Sequence, residues 1–189
     1  MRIVGGQFRG RPLATPRHEG LRPTSDRVRE AVFNILAHGV PDVTLAGAKV
    51  MDLFAGTGAL GLEALSRGAG FCLFIDHDAE ARGLIRRNIE VLGLGGATRI
   101  FRRDATDLGP AGHRGGFSLV FVDPPYERGL GEKALASAAA GGWLRPGAVA
   151  VLEERAEADV ALPAEFTAFD RRTWGDTQAI FARFMPGGG

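Results

Sequence analysis

Short apolar runs alternate with segments of helical period through the middle of the chain. Lys49–Phe54, Phe71–Ile75, Thr98–Phe101, Ser118–Val122 and Ala148–Leu152 read as strands, with helices over 58–67, 79–92 and 130–140 between them. Strands apolar on both faces and separated by helices predict a parallel sheet with right-handed crossovers. Upstream, a helix from about Ser25 to His38 puts Val28, Val32, Ile35 and Leu36 on one face, with Thr24, Ser25 and Asp26 as capping candidates. Residues 2–13 alternate short β-type stretches with Gly5, Gly6 and Gly10 and read as a small hairpin. Residues 39–47 form a turn-rich connector. Residues 164–184 lack a helical period, and Gln178–Phe184 reads as a last strand. The expected organisation is a basic arm over 1–24, a single domain over 25–185 and a mobile tail over 186–189.

Composition narrows the class. The 189 residues are 45% hydrophobic and 24% charged, with a mean hydropathy of zero, which excludes wholesale disorder. One cysteine, Cys72, excludes an intramolecular disulfide, and four scattered histidines give no zinc-ligand spacing, so no metal is expected. No apolar run approaches the ~20 residues of a membrane span, and no signal-peptide core opens the chain. A cytoplasmic protein is expected. The net charge of +1 conceals an asymmetry: residues 1–30 hold seven arginines against Glu19, Asp26 and Glu30. A basic arm on a slightly acidic body suggests an anionic partner met at one edge.

The first sheet strand runs into Asp52-Leu-Phe-Ala-Gly56-Thr-Gly58-Ala-Leu-Gly61, a G-x-G-x-x-G pattern between strand and helix. Glycines there permit a tight turn and close approach of the backbone to a ligand. A β-branched side chain at Gly58 is expected to fill space the ligand needs. Asp76 ends the next strand, 18 residues beyond Gly58, near the spacing of a carboxylate that takes ribose hydroxyls. The loop alone fits NAD or S-adenosylmethionine; Asp52 favours the latter, because a strand-end carboxylate repels a pyrophosphate and attracts an ammonium and a sulfonium. No G-K-[ST] follows the glycines, which excludes a Walker loop. Asp104, ending the third strand, stands where a side chain could accept from an adenine amine, and His77 reads as a loop residue beside the cofactor.

The fourth strand delivers Asp123-Pro124-Pro125-Tyr126. First and fourth strands are neighbours at the switch point of a doubly wound sheet, so Asp123 is expected across the crevice from the glycine loop. Asp123 and the Pro124 carbonyl make an acceptor pair suited to an exocyclic amine, and Tyr126 offers a face for an extruded base. Such an amine is a poor nucleophile because its lone pair is delocalised. Acceptors orient it and stabilise the positive charge that develops as a methyl group arrives. Trp143 and Trp174 read as packing residues, and Cys72 as inert core.

These residues resemble the RsmD-type methyltransferases, which modify guanine N2 in small-subunit ribosomal RNA. The likeness runs through Arg2-Ile-Val-Gly-Gly-Gln-Phe-Arg-Gly-Arg11, Leu21-Arg-Pro-Thr24, Asp26-Arg-Val-Arg-Glu30 with Phe33-Asn34, Asp52 to Leu65, and Val122 to Tyr126. It implies a Rossmann-like class I methyltransferase fold, with a mostly parallel seven-stranded α/β sheet and an antiparallel last strand, preceded by a small hairpin and helix. It implies S-adenosylmethionine as donor, with Asp76 at the ribose and Asp104 on the adenine side, while His77 falls at a variable site. Together with the residue reading, the expected cofactor site is Asp52, Gly56, Gly58, Asp76, His77 and Asp104, with Asp123, Pro124 and Tyr126 at the reacting base. The implied partner is 16S rRNA in the small ribosomal subunit or its assembly intermediate, with guanine 966 as target; a monomer is expected. Arg9, Arg11 and Arg22 are expected on RNA phosphates; the rival view makes the arm a structural flap. Also open are an N6-adenine methyltransferase on DNA or RNA, a non-catalytic RNA-binding module and, more remotely, an NAD-dependent oxidoreductase.

Overall fold

The computed structural model describes residues 1–17, 24–126 and 128–187. A seven-stranded sheet runs in the order β3-β2-β1-β4-β5-β7-β6. Its strands are β1 (Lys49–Leu53), β2 (Phe71–Ile75), β3 (Thr98–Phe101), β4 (Phe117–Val122), β5 (Leu144–Arg155), β6 (Phe166–Trp174) and β7 (Thr177–Phe184). The first five pair in parallel, while β7 runs antiparallel to both β5 and β6. The order reverses between β1 and β4, the switch point where ligands bind beyond the strand ends.

Strand alternation sorts the core into two layers. Val50, Phe74, Leu119, Phe121, Val151 and Phe181 pack with α1 (Asp26–His38), α2 (Ala59–Ser66) and α3 (Ala79–Leu92). Met51, Leu73, Val120, Val122, Leu152 and Ile180 pack on the other face with α4 (Leu130–Ala140) and Trp143. The same alternation assigns Asp52 and Glu153 to the first face, and Asp123, one residue past β4, continues it.

α1 begins where Ser25 caps it, its hydroxyl accepting the Val28 N–H. Val28, Val32 and Leu36 are buried as their spacing predicts, Ile35 only partly; Phe33 joins them and stacks obliquely on Phe121 at 5.3 Å between ring centres. α3 is capped by Asp78 and stops at Gly93 in left-handed conformation.

The N-terminal hairpin is closed by one antiparallel bridge, Arg2 to Pro12. Its backbone is bound to α2: the Glu63 carboxylate accepts the Val4 and Gly5 N–H groups at 2.9 and 2.8 Å, and Ser66 takes Phe8. Arg29, fully buried, reaches Glu63 and the Arg2 and Thr24 carbonyls. A buried charge pair persists only when its remaining donors and acceptors are filled, as they are here. The basic arm is therefore fixed through its backbone and through charges it encloses.

Two strand features depart from the sequence reading. β5 spans 12 residues, extending the apolar run Ala148–Leu152 back to Leu144 and on through Glu153 and Glu154 to Arg155. β6 is an edge strand with a register shift between Ala168 and Asp170, exposed over most of its length, so its apolar pattern is too sparse to announce it.

Candidate functional site

The glycine loop leaves β1 through Phe54, whose φ of +56° is unusual for a bulky side chain. Strain of this kind collects at ligand-binding turns. Gly56 and Gly58 follow, also in left-handed conformation, but they do different work. A Cβ at Gly56 would meet only the Phe54 carbonyl, at 4.0 Å, so this glycine opens onto free space. One at Gly58 would meet Phe74 at 3.2 Å and Ile85 at 3.4 Å. The expected ligand space at Gly58 is thus corrected: that position faces the core, and Gly56 is the open one. Gly61 lets α2 lie on β2, since a Cβ would press on Cys72 and Phe74 at 2.5 Å.

Three carboxylates shape this side. Buried Asp52 accepts the Gly61 N–H at 2.9 Å, bracing the start of α2. Its burial pushes its pKa well up, opposed by that hydrogen bond and reinforced by the charges of Asp123 and Asp76. Asp76 accepts the Gly56 N–H with one oxygen and the Asp78 N–H with the other, both at 2.9 Å. Each carboxylate oxygen carries two lone pairs, so capacity for hydroxyl donors remains. Exposed Asp104 is folded onto Thr106, accepting its N–H and hydroxyl, which lower its pKa. His77 is exposed, and its electrostatic effect on Asp104 joins the tips of β2 and β3.

Across the switch point, Leu53 pairs with Val122, and the Asp123 N–H reaches the Leu53 carbonyl at 3.5 Å. Asp123 and the glycine loop thus stand side by side. Asp123 Oδ2 accepts the Thr24 hydroxyl at 2.9 Å, and desolvation raises its pKa to about 6 against that bond. The same hydroxyl lies 3.1 Å from Glu153 Oε2, on the neighbouring strand β5. Glu153 is 1% exposed, and its Oε1 has no hydrogen-bond partner among the described residues. Burial and the Asp123 charge push its pKa well up, with Thr24 and Arg29 opposing.

Next to this pair lies a cavity of about 510 Å³, lined by Thr24, Arg27, Tyr126, Glu153 and Trp174 with the Gly175–Thr177 turn. Tyr126 sits on its wall, its hydroxyl 3.2 Å from Thr177 Oγ1 and Arg155 beside its ring. Trp143 is fully buried and donates to the Gly109 carbonyl, a packing residue as expected. Trp174 also packs against the core, partly buried, and in addition lines this cavity. Pro124 is buried beneath Asp123.

The structure brings Asp52, Gly56, Asp76 and Asp123 together at the C-terminal ends of β1, β2 and β4. Arg9 and Arg11 are exposed on the arm, away from those strand ends in contacts, with Arg11 donating to the Val91 carbonyl. Arg22 lies outside the described residues, as do Leu21 and Pro23 of its motif. Sequence reasoning missed Glu153, and it took Thr24 for a cap. A carboxylate one step past an apolar run, on the strand adjoining Asp123, was the available signal.

Comparison with known proteins supplies the ancestry. A family described as Conserved hypothetical protein 95 matches residues 1–183. The chain belongs to the RsmD-type methyltransferase family. It is 41% identical to ribosomal RNA small subunit methyltransferase D of Escherichia coli over 157 residues, 83% of this chain and 76% of that protein. The protein of the same name from Haemophilus influenzae is 32% identical over 93% of this chain and 89% of its own. Among solved structures, the yhhF methyltransferase of Escherichia coli superimposes with a TM-score of 0.82 at 33% identity, covering 98% of both chains. TrmN of Thermus thermophilus, at 23% identity and a TM-score of 0.68, covers 84% of this chain and 48% of that one and shares the fold.

Proposed function

We propose that this protein transfers a methyl group from S-adenosylmethionine to the exocyclic N2 amine of a guanine in small-subunit ribosomal RNA. The family supports rRNA methylation. The observation that carries the chemistry is Asp123, set at the switch point beside the glycine loop, with its carboxylate bonded to Thr24, a residue of the cavity wall.

The residues fit the donor. Gly56 leaves open space at the loop, Asp76 offers acceptors for ribose hydroxyls, and Asp52 braces the start of α2 behind the loop by accepting the Gly61 N–H. His77 and Asp104 close the adenine end. When bound, this group supplies a methyl on a positively charged sulfur. Asp123, ionised at neutral pH, and the Pro124 carbonyl hold the two N–H bonds of the amine so that its lone pair faces the methyl. The amine nitrogen gains positive charge as the new bond forms, and the two acceptors stabilise it there. The proton is then acidic enough to leave without a strong base. Tyr126 and Trp174 supply flat surfaces for a base taken out of its stack. Arg9, Arg11 and Arg22 bind RNA phosphates, and guanine 966 is the target that the resemblance implies.

Comparing the nucleosides of small-subunit RNA from a strain lacking this gene with its parent tests the reading. Loss of one N2-methylguanosine is expected; loss of an N6-methyladenosine supports the adenine alternative.

A further inference from the structure

Glu153 is a buried carboxyl that the chemistry above does not use. A hydroxyl has one proton, so Thr24 cannot donate to both Asp123 and Glu153. If Thr24 donates to Asp123, at the shorter 2.9 Å, the 3.1 Å contact to Glu153 Oε2 needs a proton on the Glu153 side. A chain Glu153 Oε2–H to Thr24 to Asp123 satisfies all three groups. It leaves Glu153 Oε1 as a carbonyl-type acceptor, fixed in orientation and without a partner among the described residues, in a residue that lines the cavity. The raised pKa of Glu153 agrees with a neutral carboxyl.

A lone buried acceptor calls for a donor from the ligand, because leaving it empty costs its full desolvation. Guanine and adenine differ at this point. Beside its amine guanine carries N1–H, a donor, whereas adenine carries N1 as a bare acceptor. Two donors in adjacent positions match two acceptors on adjacent strands, since Val122 pairs with Leu152 and Asp123 and Glu153 are each the next residue along.

We infer that Glu153 is the residue that selects guanine, accepting the N1–H with Oε1 while Asp123 accepts from N2, the two held in register by the Thr24 hydroxyl. The inference rests on the proposed reaction at Asp123 and assigns its base specificity. Adenine in the same pose sets its N1 lone pair against the Oε1 lone pair, leaving both unpaired.

The test uses small subunits purified from a strain lacking this gene, radiolabelled S-adenosylmethionine and nucleoside analysis of the product. Glu153→Met keeps the bulk and removes the acceptor; Glu153→Gln keeps an acceptor at Oε1 and puts a donor toward Thr24. Glu153→Met is expected to lower kcat/KM about 10- to 100-fold, the effect of a lost hydrogen bond to a buried acceptor. Glu153→Gln is expected to recover most of that, to within about fivefold of wild type. Both variants should bind S-adenosylmethionine with wild-type affinity by calorimetry, which also reports folding. On RNA carrying 2-aminopurine in place of the methylated guanine, which keeps the amine but lacks N1–H, wild type and Glu153→Met should converge. Full activity in Glu153→Met, or a Glu153→Gln as impaired as Glu153→Met, overturns the inference, the latter because it makes Glu153 a base. Wild-type protein that methylates no guanine overturns the proposed function instead.

Discussion

The two halves of the switch point hold their carboxylates in opposite ways. On the glycine-loop side, Asp52 and Asp76 are tied to backbone N–H groups of Gly61, Gly56 and Asp78, and Asp104 to Thr106. On the Asp-Pro-Pro-Tyr side, Asp123 and Glu153 share one side-chain hydroxyl, and an oxygen of Glu153 has no partner among the described residues. Backbone donors are part of the fold and stay in place when a ligand leaves. A shared hydroxyl and an empty acceptor are completed only by what binds. The first half is therefore built before its ligand arrives, as suits a small molecule of constant shape. On the proposed reading, the second half keeps its unfilled hydrogen-bonding capacity for one edge of one base, which is where discrimination is needed.

Removing an acceptor from the second half separates the two most sharply. Asp123→Ala should lower kcat about 10²-fold or more, by the measure of a lost transition-state hydrogen bond, with S-adenosylmethionine affinity unchanged in calorimetry. Lost cofactor affinity with intact turnover would place Asp123 in the other half. The complementary change is Gly56→Val. Its side chain enters the open space at the loop, and affinity for S-adenosylmethionine should fall at least tenfold, at a conformational cost of about 1–2 kcal/mol for the left-handed position. Gly58→Val presses on Phe74 and Ile85 as well, so it should lower the melting temperature further than Gly56→Val does.

Acidity distinguishes the halves more gently. Asp123 titrates at about 6 in the folded protein, above its unfolded value near 4, so the native state binds this proton more tightly. Its contribution to stability is fully present below the unfolded value and is lost as pH rises through about 6. Activity has the opposite slope, because protonation removes an acceptor. Between pH 7.5 and 5.5, turnover should drop roughly three- to fourfold while the Asp123 contribution to melting temperature rises. A pH profile that is unchanged in Asp123→Asn would contradict the assignment.

The smallest effect belongs to the arm. Its backbone is anchored on Glu63 and Ser66, while Arg9 and Arg11 remain exposed. The structure thus contains both features that the sequence set against each other, a docked flap and exposed cationic side chains. Changing Arg9, Arg11 and Arg22 to Ala should reduce the log–log salt slope of RNA binding by somewhat less than one unit per lost phosphate contact. Melting temperature should hold, since exposed charges contribute little. An unaltered slope in the folded variant would remove the arm from RNA docking.

Much of the molecule was legible because its signals are local. The alternation of Lys49–Leu53, Phe71–Ile75 and Phe117–Val122 with helical segments gives the parallel sheet, and G-x-G-x-x-G with Asp-Pro-Pro-Tyr marks the two strand tips that face each other. What stayed hidden depends on contacts distant in sequence. Thr24 meets Asp123 and Glu153 across 99 and 129 residues, and no periodicity encodes that. Glu63 looks like an ordinary helix residue until the arm and Arg29 close over it. The direction of a missing Cβ at Gly58 likewise depends on Phe74 and Ile85, which the motif does not contain.

The central claim is that Asp123 and its neighbours present acceptors to a guanine amine. The most direct measurement incubates purified protein with radiolabelled S-adenosylmethionine and small subunits from a strain lacking this gene, followed by digestion and chromatography of the nucleosides. The account predicts one label per subunit, all of it in N2-methylguanosine and absent with Asp123→Ala. Label in N6-methyladenosine, or label that survives Asp123→Ala, would contradict it.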